Sequence, residues 1–323
     1  MIQQHKQQGV TLVETMIAMV ISLMLMAGVY QTYLGSKQAY RTQDGLSRLQ
    51  ENARFAMDQL SRDIRMANNF GCVPAAFNQF GEQVIVDRSG TFGYDPTTPA
   101  VTANNGGIAS IADTANADGI TIRGIGGTNG IVASPVLSVA GSVVTLMPGA
   151  TMPAPGNVVI SDCRQAEIVV LTAGNIGNPA ANQITLPGVI GINGNTYGAG
   201  TMVYPVRTIA YSILPGAGGQ DGLFRAVDGN AAQEVAEGLE SIDFLFRQTA
   251  ATGTTLDISD AVNYWNDVGT VRVSMVFSTP RDNIAVDNQS YRVVSNDGTS
   301  IDNQTAADKR LYRMMSALID VRK

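Results

Sequence analysis

The chain has 323 residues, enough for one large or two modest domains with a substantial core, which excludes a peptide or a stapled mini-protein. Its formal net charge is -6, from 21 Lys and Arg against 27 Asp and Glu, so it lacks the basic field that a nucleic-acid groove requires. Apolar residues make up 45% and charged residues 15%, which argues for a packed fold, while 34 Gly announce many turns.

The first nine residues are polar and include Lys6 and His5, the single histidine of the chain. An apolar run follows from Val10 to Val29, and its only ionisable side chain is Glu14. As a helix rising about 1.5 Å per residue it would be roughly 30 Å long, enough to cross the hydrocarbon layer of a bilayer. A secretory signal peptide would need small residues at a cleavage site, and the nearest candidate, Leu25 to Ala27, begins with Leu where a small residue belongs. A plain membrane anchor leaves Glu14 unexplained, because a carboxylate in such a helix costs on the order of 2.5 to 3.5 kcal/mol and calls for a partner. A cut after Gly9 would create one. The new amino group on Val10 is a cation that would meet Glu14 of an adjacent subunit in a stack of such helices.

Gly9, Val10, Thr11, Leu12, Val13 and Glu14, preceded by a short leader with Lys6 and opening an apolar helix, resemble the type III signal of type IV pilins and type II secretion pseudopilins. The resemblance implies that a membrane-embedded prepilin peptidase cuts after Gly9 and N-methylates Val10, and that Glu14 is the assembly carboxylate. Val10 is a departure, since Phe is commonest at that place in the family. Loss of the leader would also remove His5 and leave the mature chain without an imidazole for the common zinc sites or general-base arrangements.

Further along, Leu46, Leu49, Ala53, Met57, Leu60, Ile64 and Ala67 recur at steps of three or four, the spacing of a helix with one buried stripe. Arg48, Glu51, Arg54, Asp58, Arg62, Asp63 and Arg65 are expected on its other faces. Gly28, Gly35 and Gly45 each weaken a helix by roughly 1 kcal/mol relative to Ala, so a local bend or melt is expected where the apolar and amphipathic halves join. The helix is expected to end at Asn68 or Asn69, before Gly71. Met16, Met19, Met24 and Met26 read as apolar filling.

From Gly71 onward short β-type runs alternate with Gly, Pro, Asn and Asp. Strands are expected at 83–86, 119–123, 136–139, 143–147, 157–161, 167–172, 183–186, 202–214, 223–227, 240–247, 269–278 and 309–321, with a tight hairpin at Ala140-Gly141. Residues 91–118 and 173–181 read as loops. Gly124, Gly126 and Gly130 form a Gly run with no helix pattern behind it to hold a phosphate, so it reads as a flexible turn. The formal sequons Asn288-Gln289-Ser290 and Asn303-Gln304-Thr305 read as polar loops, and Glu234 and Glu237 as solvated or helix-start charges.

The later blocks narrow the resemblance. Cys72 after the helix, Ile160 to Cys163, Gly222 to Arg225, Glu237 to Glu240, Trp265 ahead of Val271 to Ser274, and Arg310 to Arg313 are similar, in their order, to PilW-type minor pilins, large relatives of the pseudopilin J class. Residues 250–260 lack the Asp-Gly-Asp-Gly insert of many such proteins, which removes the basis for a calcium site and leaves exposed loop carboxylates as the reading. Export would place Cys72 and Cys163 where disulfides persist, and a bridge between them would tie the end of the helix to the sheet.

The expected architecture is α+β: a cleaved leader (1–9), a transmembrane assembly helix (10–30), an amphipathic helix (31–69) and an extracytoplasmic, Gly-rich, mainly antiparallel β domain (70–323). By resemblance the protein is a minor pilin and not an enzyme, with no cofactor or metal. Its partners would be prepilin peptidase, other minor pilins, the major pilin, inner-membrane lipid and a tip adhesin. A J-like pseudopilin capping a periplasmic pseudopilus and a membrane-anchored enzyme without histidine are the alternatives.

Overall fold

The computed structural model describes residues 11–73, 82–95, 108–111, 119–126, 133–176, 182–248, 268–280, 284–285, 287–294 and 301–321. Gly9, Val10, the leader residues His5 and Lys6, Trp265 and the 250–260 stretch lie outside the described residues.

One helix, α1, runs from Leu12–Arg65 without interruption. The local melt expected at the glycines is not there. A cost of about 1 kcal/mol for each glycine is small beside the cooperative hydrogen bonding of the turns around it. Gly45 is instead a contact point: a Cβ built on it would sit 3.0 Å from Ile284 and 3.3 Å from Thr279. The helix also stops earlier than expected. Asn68 adopts φ 60, its N–H donates to the Arg123 carbonyl at 2.9 Å, and the Ile125 N–H donates to the Asn69 carbonyl at 2.8 Å. Residues 68 and 69 thus leave the helix to run beside a strand.

Sixteen strands follow among the described residues. β1 (Ile85–Asp87), β2 (Ile108–Ile111), β3 (Gly119–Ile125), β4 (Ser134–Ala140), β5 (Val143–Leu146), β6 (Gly156–Ser161), β7 (Ala166–Leu171), β8 (Gln183–Thr185), β9 (Met202–Pro215), β10 (Asp221–Val227) and β11 (Gln233–Glu237) form one branched sheet. β12 (Leu239–Gln248), β13 (Val268–Ser278) and β16 (Tyr312–Asp320) form a second sheet, and β14 (Ser290–Val294) with β15 (Ile301–Thr305) a third. Among these strands every pairing is antiparallel except β1 with β7. The fold is therefore α+β with a mainly antiparallel sheet-rich body.

β9 organises the large sheet. Its first residues pair with β4 and β6, and from Val206 onward it pairs with β3 and then β10, so it joins two lobes. The β4–β5 turn is tight: Ala140 pairs with Val143, and Gly141 at φ 61 supplies the left-handed backbone the turn needs.

Several expectations are corrected here. β2 falls inside the stretch 91–118 read as loop, and Phe92 and Tyr94 of that stretch are buried with Phe70, whose ring lies 4.7 Å from that of Tyr94. β11 holds Glu234 and Glu237, both exposed, so they are solvated charges on a strand and not at a helix start. The sequon residues Ser290 and Asn303 to Thr305 lie in the β14–β15 hairpin and not in polar loops, because cross-strand pairing stabilises segments whose own composition carries little strand signal. Gly124 and Ile125 belong to β3, and the glycine is there for close approach: an added Cβ would meet the Met66 carbonyl oxygen at 2.5 Å.

The main core forms where the second half of α1 meets the sheets. Leu49, Ala53, Ala56, Leu60, Ile64 and Ala67 pack with Tyr211 and Leu223 of the large sheet and with Phe244, Phe246, Val273 and Phe277 of the three-stranded one. The small Ala residues let the helix backbone come close to the strands. A second cluster fills the β4 to β8 lobe, and a third surrounds Phe70, Ile85 and Ile168.

Candidate assembly helix and its anchorage

The first half of α1 touches nothing in the described body. Every side chain from Thr11 to Lys37 is exposed, including Leu12, Met16, Met19, Leu23 and Met26, the last at 74%. This part of the helix is long and apolar enough to cross a membrane. Three of its hydroxyls are closed off internally. Thr15 donates to the Leu12 carbonyl at 2.8 Å, Ser22 to Ala18 at 2.7 Å and Thr32 to Gly28 at 3.0 Å, so these hydroxyls need no partner in an apolar medium.

Glu14 stands in the first turn of α1, where the unpaired amides of the helix start favour negative charge. Thr11 caps that start, its hydroxyl accepting from the Glu14 N–H at 3.3 Å. Among the described residues Glu14 has no cationic partner, and the adjacent cut-site residues Gly9 and Val10 lie outside them. Gly9, Val10 and Glu14 are neighbours in sequence at one end of the helix. Cys72 and Cys163 are at the other end, roughly 80 Å away along a helix of 54 residues.

At that far end three devices fasten α1 to the body. The first is a charge cluster. Asp63 lies on the buried face, where its carboxylate accepts from Arg225 Nε at 2.8 Å and the Tyr211 hydroxyl at 2.6 Å, with Arg207 at 3.8 Å. This corrects its expected place among the solvent-facing charges. Burial and then the Asp63 charge push the Tyr211 hydroxyl far above its ordinary pKa, so it stays a donor. Burial works against the charged form of Arg225, but the hydrogen bond and charge of Asp63 outweigh it and hold the guanidinium pKa above its usual value.

The second device is the backbone pairing of Asn68 and Asn69 with β3. The third is covalent: Cys72 and Cys163 form a disulfide with a Cα–Cα distance of 4.6 Å, and both residues are at the surface. Cys163 sits in the β6–β7 turn, shaped by Asp162, which accepts from the backbone N–H groups of Arg164, Gln165 and Gly198 and from the Arg164 side chain at 2.8 Å. Burial would raise the Asp162 carboxyl, but these donors prevail and hold its pKa below the usual carboxylate range. Nearby, Glu167 is fully buried and bound by Arg88 and the Gly191 N–H, which ties β7 to the loop before β9.

The cluster of Asp63, Arg207, Tyr211 and Arg225 was not expected from the sequence. A signal for Asp63 exists in the spacing: it lies seven residues after Ala56 and three after Leu60, on the buried stripe. Among the described residues no group of three or more His, Cys, Asp or Glu could hold a metal ion.

Residues 4–30 match the family model described as the prokaryotic N-terminal methylation motif. No curated protein and no solved structure matches the chain. The matched motif implies processing by a prepilin peptidase and pilin partners in general, and the bare apolar helix it opens is consistent with anchoring in the inner membrane. Together they support a type IV pilin-like prepilin, a component of a pilus or pseudopilus.

Proposed function

We propose that this protein is a minor pilin of the PilW type that primes assembly of a type IV pilus and stands at or near its tip. The observation that carries the reading is the combination in α1 of a fully exposed first half, whose apolar run bears Glu14 as its one charge, with a second half locked into a bulky body. A helix of this kind exchanges lipid for the helices of neighbouring subunits, and the body would crowd a repeating shaft, which favours an end position and low copy number. Cleavage after Gly9 exposes the amino group of Val10, which stays cationic when N-methylated and pairs with Glu14 of a neighbour. The chain thus begins in the inner membrane with its body in the periplasm and ends at the cell surface. Its work is assembly with other minor pilins, the major pilin and a tip adhesin, and it has no catalytic role.

Intact and N-terminal mass analysis of protein made with and without prepilin peptidase tests this. A mature chain beginning at Val10, with an added methyl, is expected only with the peptidase; retention of residues 1–9, or cleavage near Ala27, overturns the reading. Glu14→Ala is expected to leave processing intact while pilus number falls to a small fraction of wild type by electron microscopy. Co-purification with pilus subunits supports the tip role, whereas recovery with the subunits of a secretion system reassigns the chain to a pseudopilus.

A further inference from the structure

Just past its apolar run α1 carries a stripe that the assembly reading leaves unused. Tyr30, Tyr33, Lys37 and Arg41 recur at steps of three and four and therefore share one face. All four are exposed, whereas Gln38, off that stripe, donates to the Ile284 carbonyl at 2.6 Å, and the face turns into the body only one turn past Arg41, at Gly45. No acidic residue occurs between Glu14 and Asp44, and Asp44, one turn past Arg41, pairs with Arg48 at 3.3 Å.

The placement fits a bilayer surface. With Leu12 to Val29 occupying about 27 Å of hydrocarbon, Tyr30 and Tyr33 enter the headgroup layer, where amphipathic rings settle with the apolar body inward and the hydroxyl in the wet zone. Side chains on a helix lean toward its N-terminus, which here is toward the membrane. Lys37, with its Cα about 12 Å beyond the hydrocarbon edge, reaches back into the headgroups on its flexible stem, and Arg41 stands within about a Debye length of them.

We propose that Lys37 and Arg41, flanked by Tyr30 and Tyr33, form a docking stripe for anionic phospholipid headgroups, which sets the depth of α1 in the membrane before assembly. The proposal rests on the membrane-anchored reading of α1.

The test reconstitutes the full chain in phosphatidylcholine vesicles containing spin-labelled phosphatidylglycerol or spin-labelled phosphatidylcholine and reads the relative association of each lipid at the protein boundary. Lys6 is kept in every variant, so its contribution is constant. The wild-type chain is expected to prefer phosphatidylglycerol. K37Q and R41Q should each lower that preference about fivefold, K37R and R41K should retain it, and added salt should erode it. A chain that resists carbonate extraction yet shows the same lipid preference in wild type and in the double variant overturns the stripe and leaves the anchor standing. The stripe is equally overturned if the double variant loses only self-association, which would make these side chains a protein contact. A chain that carbonate removes from the vesicles overturns both.

Discussion

Asp63 shows how much one side chain contributes when it is buried among cations. Among the described residues its carboxylate accepts from both the Arg225 guanidinium and the Tyr211 hydroxyl. Asp63→Asn keeps the volume and removes the charge, leaving two guanidinium groups without compensation at the helix–sheet junction. A loss of about 3 kcal/mol is expected, read as a lower denaturant midpoint of the detergent-solubilised chain. The buried hydroxyls add a pH dependence whose sign follows from their shifts. Tyr94, Tyr197 and Tyr211 all have pKa values raised, each first by burial. The folded chain therefore holds these protons more tightly than the unfolded chain, whose tyrosines titrate near 10. Their contribution is complete below pH 10 and is lost as pH rises beyond it, by up to about 1.4 kcal/mol per pH unit for each group. Unfolding midpoints measured from pH 8 to 11 should fall only above 10; a flat profile would contradict the burial of these hydroxyls.

At the scale of elements, the junction between α1 and the body uses three fastenings of different physics, and the disulfide is the one a solvent reagent can reach. Cys72 and Cys163 are 91 residues apart, so their bond removes about 4 to 5 kcal/mol of chain entropy from the unfolded state in the loop-closure model. Replacing both by Ser should lower the unfolding free energy by about that amount. A thiol reductant should cleave the bond in the folded protein, checked by alkylation and mass analysis before any loss of circular dichroism. Gly124 belongs to the same junction for a steric reason, since only a residue without Cβ lets β3 lie against the Met66 carbonyl. In sequence this glycine resembled part of a turn. What distinguishes a glycine needed for close approach from one needed for a turn is the neighbour it admits, and that neighbour is distant in the chain.

Across the whole molecule the apolar half of α1 and the body are separable in energy. Residues 11–37 make no buried contact among the described residues, and Gln38 is the first to bond to the body. A chain beginning at Gln38 is therefore expected to be monomeric without detergent and to unfold within a few degrees of the full chain by differential scanning calorimetry. A drop of 10 °C or more would mean that the body depends on the exposed half.

The division of information follows the range of the interactions involved. The long helix, the isolation of Glu14, the amphipathic stripe from Leu49 to Ala67 and most strands were legible in the sequence, because each rests on local periodicity or on the cost of a charge in an apolar run. The pairing of polar β14 and β15, the inward turn of Asp63 toward Arg225, and the closeness of Gly124 to Met66 were decided only by tertiary structure. Each depends on a partner far along the chain, and a buried charge or an admitted backbone has no local pattern until that partner is in place.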